Sequence, residues 1–169
     1  TLSGTNTYTG TTTITGGTLI VGNASAMGSG SLVLAGGSLN ASAGGITLTT
    51  SGQQFWNNDF KFLGTGSLNL CAGSVTLGAG RTVAVDGNVL TVGGKIGDNG
   101  LGYGLTLEGA GALQLRGANT YAGNTTLNSA TLTLGHSSAL GTGSLIINGG
   151  SRNTISGGTA LTTPTTQFW

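Results

Sequence analysis

Few side chains in this sequence could do chemistry. The acids are Asp59, Asp86, Asp98 and Glu108, the one histidine is His136, and the one cysteine is Cys71. Asp86 and Glu108 are 22 residues apart, each following a short apolar-x-apolar segment and each preceding glycine. A chain that coils with that period stacks the two carboxylates about 5 Å apart, the separation of a retaining glycosidase pair or of neighbouring ligands at an oxygen-rich cation site. No basic or aromatic group in the sequence accompanies them to bind a substrate, so solvated turn residues are the simpler expectation. Asp98 lies in Gly93-Gly-Lys-Ile-Gly-Asp-Asn-Gly100. This segment superficially resembles a glycine-rich calcium nonapeptide, but its glycine spacing is wrong and it is not repeated. Cys71 has no partner for a disulfide and no nearby cation to activate its thiol, so it is expected to be a small apolar filler. The acids, histidine and cysteine thus predict a non-catalytic chain with no metal and no cofactor.

What positions these residues is a long internal repeat. Leu2 to Val21 returns as Leu115 to Leu134, with Asn6, Tyr8 and Gly10 recurring 113 residues later as Asn119, Tyr121 and Gly123. The echo continues through Gly22, Gly28, Gly30, Leu32, Gly36, Gly37, Asn40, Gly44, Gly45 and Leu48. It ends when Gln54-Phe55-Trp56 reappears as Gln167-Phe168-Trp169. No gap is needed, and about half of the aligned positions are identical. Self-similarity of this length dictates architecture. It divides the chain into one 113-residue unit, 6–118, and the start of a second, 119–169. Because the sequence opens inside one repeat and closes inside the next, it is expected to be a fragment whose targeting signals lie elsewhere. His136 replaces Asn23 of the first copy, so it belongs to no repeated site, and a solvated loop position is expected.

Composition excludes several functions. The chain has 169 residues, of which 35 are glycine, with five basic and four acidic residues and a net charge of +1. Nucleic-acid binding needs clustered Lys and Arg, and an anionic membrane surface needs the same. No apolar run approaches the roughly 18 residues of a spanning helix, so direct membrane insertion is not expected. Low charge and high glycine could signal disorder, but Leu, Ile and Val recur too regularly for a chain with nothing to bury.

That regularity has period two. Leu32-Val-Leu34, Leu68-Asn-Leu70, Val75-Thr-Leu77, Val83-Ala-Val85, Leu105-Thr-Leu107 and Leu113-Gln-Leu115 each put two apolar residues on one face and a polar or small one on the other. Glycine-bearing turns close the segments, and no window has helical spacing. Starts at Leu68, Val75, Val83, Leu90, Ile96 and Leu105 give three-step periods of 22, from Leu68 to Leu90 and from Val83 to Leu105. A sandwich would want longer strands. Short strands with one bend each predict an all-β, right-handed parallel β-helix of about 22 residues per three-strand coil, stacked at ~4.8 Å. The chain then makes about seven coils, the 113-residue unit makes about five, and 22–30 and 135–143 form matching lateral loops. Its outward faces mix Thr with Asn, Gln and Ala, which is too irregular for a flat threonine array that binds ice.

Gly109-Ala-Gly-Ala-Leu-Gln-Leu-Arg-Gly-Ala-Asn-Thr-Tyr-Ala-Gly-Asn-Thr-Thr-Leu127 resembles the passenger-associated transport repeat of bacterial autotransporters, with a Thr-Leu-Thr-Leu strand following. The pattern residues are Gly117, Asn119, Thr120, Tyr121 and Gly123, echoed by Gly4, Asn6, Thr7, Tyr8 and Gly10. Ser129-Ala130, where the first copy has Gly16-Gly17, departs from the echo. The resemblance implies a structural, secretion-promoting β-helical segment of a passenger, exported to the cell surface through a C-terminal outer-membrane β-barrel. Its partners would be the rest of that passenger and the barrel.

Within this frame, Asn6 and Asn119 are expected to cap turns through their amides. Tyr8 and Tyr121 are expected to pack inward or into a corner. Phe55, Trp56, Phe60 and Phe62, with Phe168 and Trp169 beginning a second copy, form the one aromatic concentration. Covering the solenoid is their first expectation, and a surface that binds host glycan or neighbouring cells is the alternative. That alternative makes the chain an adhesin segment. A polysaccharide-active enzyme is a remote third reading, opposed by the scarcity of charge.

Overall fold

The computed structural model describes residues 1–154, together with the backbone of Gln167–Phe168. It is an all-β solenoid of about seven turns. Three sheets line its sides, and every strand pair is parallel. One face stacks Thr12–Ile14, Leu32–Leu34, Gln54–Trp56, Val75–Leu77 and Ile96–Gly97. A second carries eight strands, from Thr18–Val21 through Phe60–Phe62 and Leu105–Glu108 to Gln167–Phe168. The third carries six, from Ile46–Thr47 through Val89–Val92 to Ser151–Thr154. Successive coils advance by 19 residues where Leu113 lies opposite Leu132 and by 24 where Arg81 lies opposite Leu105.

The period-two reading sets the core. Leu68, Leu70, Val75, Leu77, Val83, Val85, Leu105, Leu107, Leu113 and Leu115 are all buried, and in register Leu68 lies opposite Leu90, Val75 opposite Ile96, Val83 opposite Leu107 and Leu113 opposite Leu132. Full burial of one such side chain is worth about 1.5–3 kcal/mol. No coil can bury this surface without a neighbour, so stability accumulates along the axis.

The register refines one expectation and corrects another. The 113-residue repeat does not return to its starting face. Thr12–Ile14 belongs to the five-stranded face, whereas its counterpart Thr125–Leu127 belongs to the eight-stranded face. Likewise Thr18–Val21 lies in the eight-stranded face and Thr131–Leu134 in the six-stranded one. The unit is therefore five coils and one third, and the second copy is rotated one side around the prism. The segments 22–30 and 135–143 are also not lateral loops. Ala26, Met27, Ala139 and Leu140 point into the core, so each segment occupies the side of its coil that carries no strand.

One corner is built from glycine. Gly10, Gly30, Gly52, Gly73, Gly94 and Gly117 follow one another up the axis. A Cβ on Gly30, Gly52, Gly73, Gly94 or Gly117 would lie 1.8, 2.0, 2.1, 1.9 or 2.2 Å from the carbonyl oxygen of the glycine before it in this series. None of these six has a left-handed φ. The requirement here is close approach of one backbone to the next, not unusual conformation.

Candidate functional site

The two Asn-Thr-Tyr turns are the repeated, chemically distinctive feature of the chain. In the second, the Asn119 side chain joins three coils. Its Oδ1 accepts from Ile96 N in the preceding coil at 2.8 Å, and its Nδ2 donates to Ala139 O in the following coil at 2.6 Å. Its backbone N donates to Ser138 O, and Thr120 N donates to Ile96 O. Asn119 is 4% exposed, so both ends of the amide replace backbone partners that a corner without a strand ladder would leave orphaned. Gly117 lets this turn lie against Gly94, and Gly123 lies against Gly104, where a Cβ would come within 2.4 Å of the amide nitrogen.

Tyr121 is fully buried, and its hydroxyl pairs with the equally buried Thr125 hydroxyl at 2.6 Å. Burial pushes its ionisation upward, opposed by the Thr125 hydrogen bond. Gly141 of the next coil, at φ +63°, rests on the Tyr121 carbonyl, 2.1 Å from where its own Cβ would stand.

The first copy repeats this local geometry. Asn6 Nδ2 donates to Ala26 O at 2.7 Å, the Tyr8 and Thr12 hydroxyls pair at 2.8 Å, and Gly28 at φ +54° rests on the Tyr8 carbonyl. Thr7 is exposed and Asn6 half-buried. Tyr8 is 37% exposed, and nothing lies within 4 Å of a Cβ built on Gly10. The asparagine amides do bond backbone groups, but those of neighbouring coils and not of their own turn. The inward ring holds for Tyr121 but only in part for Tyr8, which lies in the first coil.

The remaining candidates scatter. Trp56, Phe60 and Phe62 are in the core, 0%, 5% and 0% exposed. Trp56 packs edge-on against Phe60 with centroids 4.9 Å apart. Three of the four aromatic candidates therefore offer no interaction surface, because strand alternation turns them inward; Phe55 alone faces out, half-buried. Their expected second copy, Trp169 and the side chain of Phe168, lies outside the described residues. Asp86 and Glu108 do not stack: Glu108 lies opposite Ala84 because the coil there advances 24 residues. Asp86 instead pairs with Lys61 at 3.1 Å, and Glu108 accepts from Asn128 Nδ2. His136 is half-buried, not fully solvated. Its Nδ1 accepts from Ser138 N at 3.0 Å, as Asn23 Oδ1 accepts from Ser25 N at 2.8 Å. Cys71 is half-buried against the core. Among the described residues, no three His, Cys, Asp or Glu side chains converge as a metal site would require, and no helix is long and apolar enough to cross a membrane.

Two features escaped the sequence. Thr12 and Thr125 stand four residues after each tyrosine, a repetition that could have marked them as hydroxyl partners. Asp98 is 1% exposed and accepts four backbone N–H bonds, from Gly100, Gly102, Tyr103 and Ala122, at 2.8–3.1 Å. Burial pushes its carboxyl up, the four donors together outweigh that, and the net shift is downward.

The turn, its hydroxyl pair and the flanking strands coincide with a known family pattern. The model of the passenger-associated-transport-repeat matches residues 1–21 and 105–134. Two stretches of the chain thus match this repeat. Neither the curated proteins nor the solved structures give a match. The second match begins at Leu105–Glu108, includes the Asn119–Gly123 turn and ends with Thr131–Leu134. The transport repeat is thus more than one full turn of solenoid, and its asparagine and tyrosine hold successive coils together. Repeat and β-solenoid together fit a segment of an autotransporter passenger.

Proposed function

We propose that this chain is a structural, secretion-promoting segment of an autotransporter passenger, exported to the bacterial surface through a C-terminal outer-membrane barrel. The observation that supports it most is the Asn119 amide, which takes a partner from the coil on either side. Such a turn is satisfied only when its neighbours are in place, so each coil that folds outside the cell prepares the edge for the next. A nearly uncharged chain without a disulfide threads easily in the unfolded state. Coil-by-coil burial then opposes its return. The other partner in this reading is the remainder of the same passenger.

The register supplies a clean test. Leu115 lies opposite Leu134, so removing 116–134 from the full-length passenger deletes one coil in register together with the second transport-repeat turn. Leu68 lies opposite Leu90, so removing 69–90 deletes an ordinary coil. Surface display measured by protease accessibility on whole cells is expected to fall with the first deletion and to persist with the second. Equal display from both would refute a special role for the repeat.

A further inference from the structure

One recess in the solenoid wall lies mostly outside the two matched stretches, with Thr120 of the second on its rim. It lies on the five-stranded face as a half-open depression of about 400 Å³, comparable in volume with small-molecule sites. Its floor is Gly97. Thr76, opposite it in register, and Thr120 lie on either side, while Ser74, Lys95 and Asn99 complete the rim. The recess exists because Gly97 has no side chain where the strand faces outward. A Cβ there would meet only the Thr120 hydroxyl at 3.2 Å and the Lys95 stem at 4.0 Å.

One wall is the 98–103 loop, and it is rigidly held. The buried Asp98 carboxylate takes N–H groups from Gly100, Gly102 and Tyr103 within the loop and from Ala122 in the next coil. Its charge is therefore spent on the backbone. The ion pairs found among the described residues are Lys61–Asp86 and Arg81–Asp59, and exposed Lys95 takes part in neither. The site thus offers hydroxyls, one amide and one cation, on a preformed frame.

We propose that this recess binds a carboxylated sugar, with the ligand carboxylate on Lys95 Nζ and its ring hydroxyls on Thr76, Thr120 and Asn99. Hydroxyl and amide groups match sugar hydroxyls in both donor and acceptor sense, and the ammonium selects for the carboxylate through a charge-assisted hydrogen bond. The lining holds no aromatic ring to stack on a sugar face, so weak binding, with a Kd of about 1 mM, is expected. The proposal is independent of the secretion role and stands or falls separately.

The test is titration of the whole chain with D-glucuronate, D-glucose and inorganic phosphate, followed by amide chemical shifts. Glucuronate is expected to move the Thr76, Gly97 and Thr120 resonances with a Kd of about 1 mM, and glucose to bind about tenfold more weakly. Lys95→Gln should remove the preference for glucuronate, and Gly97→Val should cover the floor of the recess and weaken both responses. Lys95 is exposed, so its variant remains informative even if the valine variant folds poorly. Unmoved resonances with glucuronate, an equal response to glucose or to phosphate, or full binding by Lys95→Gln would each overturn the proposal.

Discussion

The glycine corner makes the sharpest stability prediction. In Gly73→Ala the new Cβ would stand 2.1 Å from Gly52 O and 3.0 Å from both Gly52 C and Ser51 O. A carbon and a carbonyl oxygen approach no closer than about 3.3 Å without strain, so the two coils must part locally by about 1 Å. The neighbouring ladder bond, Gln54 N to Ser74 O, is 2.8 Å long and does not survive that displacement. Overpacking costs about 1–3 kcal/mol, and an orphaned buried backbone group adds about 1–3 kcal/mol. A loss of about 2–6 kcal/mol is expected. Gly10→Ala is the control: same residue type, same column, ordinary φ, and open space around the new methyl. It should be neutral, or stabilise by about 0.4–1 kcal/mol through a less flexible unfolded chain. Urea unfolding followed by circular dichroism, with hydrogen exchange at the Gln54 amide, measures both the total and its location. If the two variants lose equal stability, or if Gln54 stays protected in Gly73→Ala, close coil contact is not what the glycines are for.

Leu107→Asp should cost at least about 4 kcal/mol and Thr106→Asp less than about 1 kcal/mol, since Leu107 is fully buried and Thr106 faces outward; equal melting losses would contradict the facing. Asn119→Ala, which orphans the Ile96 N–H and the Ala139 carbonyl, should lose about 2–4 kcal/mol in denaturant titration. Asn6→Ala should lose about 1 kcal/mol, because its side chain makes only the Ala26 bond here. His136→Asn should leave melting unchanged by restoring the acceptor found at Asn23, while His136→Ala loses about 1 kcal/mol. Asp98 carries a pH signature. Its folded carboxyl lies below the ordinary value of 3.8, so its contribution is fully present above that value and is lost as pH falls through the lowered one. The stability gap between the native chain and Asp98→Asn should therefore be widest at neutral pH and narrow below about pH 4; a gap independent of pH would refute the carboxylate clamp.

What the sequence disclosed was whatever has a short period. Alternation at Val75-Thr-Leu77 or Leu105-Thr-Leu107 is a local property, and it placed those side chains correctly inside the coil. That the asparagine amides bond backbone was visible for a similar reason, since an amide at a strandless corner has few other uses. Phases between coils were not visible. Stacking Asp86 on Glu108 assumed a constant 22 residues, but the coil that carries Asp98 is lengthened by the 98–103 loop, and Arg81 meets Leu105 at 24. Nor could composition distinguish a glycine needed for a bend from one needed for contact. Gly73 and Gly94 look like ordinary turn residues until the carbonyl of the coil below is seen against them. Trp56 and Phe60 were ambiguous because an aromatic cluster reads the same in a one-dimensional chain whether it faces in or out.

The fractional repeat has a consequence for any longer array. A unit of five whole coils would place every transport repeat on one side of the stalk, with identical corners stacked in file. Five and one third coils instead carries each copy one face onward, and the strandless turn moves with it, from the side left by 22–30 to the side left by 135–143. The bond to the following coil is made in both copies, Asn6 to Ala26 O and Asn119 to Ala139 O, because it depends only on a backbone carbonyl of the adjacent coil. A bridge that recognised particular side chains would have to find them again on a different face. The contact can therefore recur wherever a corner lacks a strand, which suits an element that joins coils.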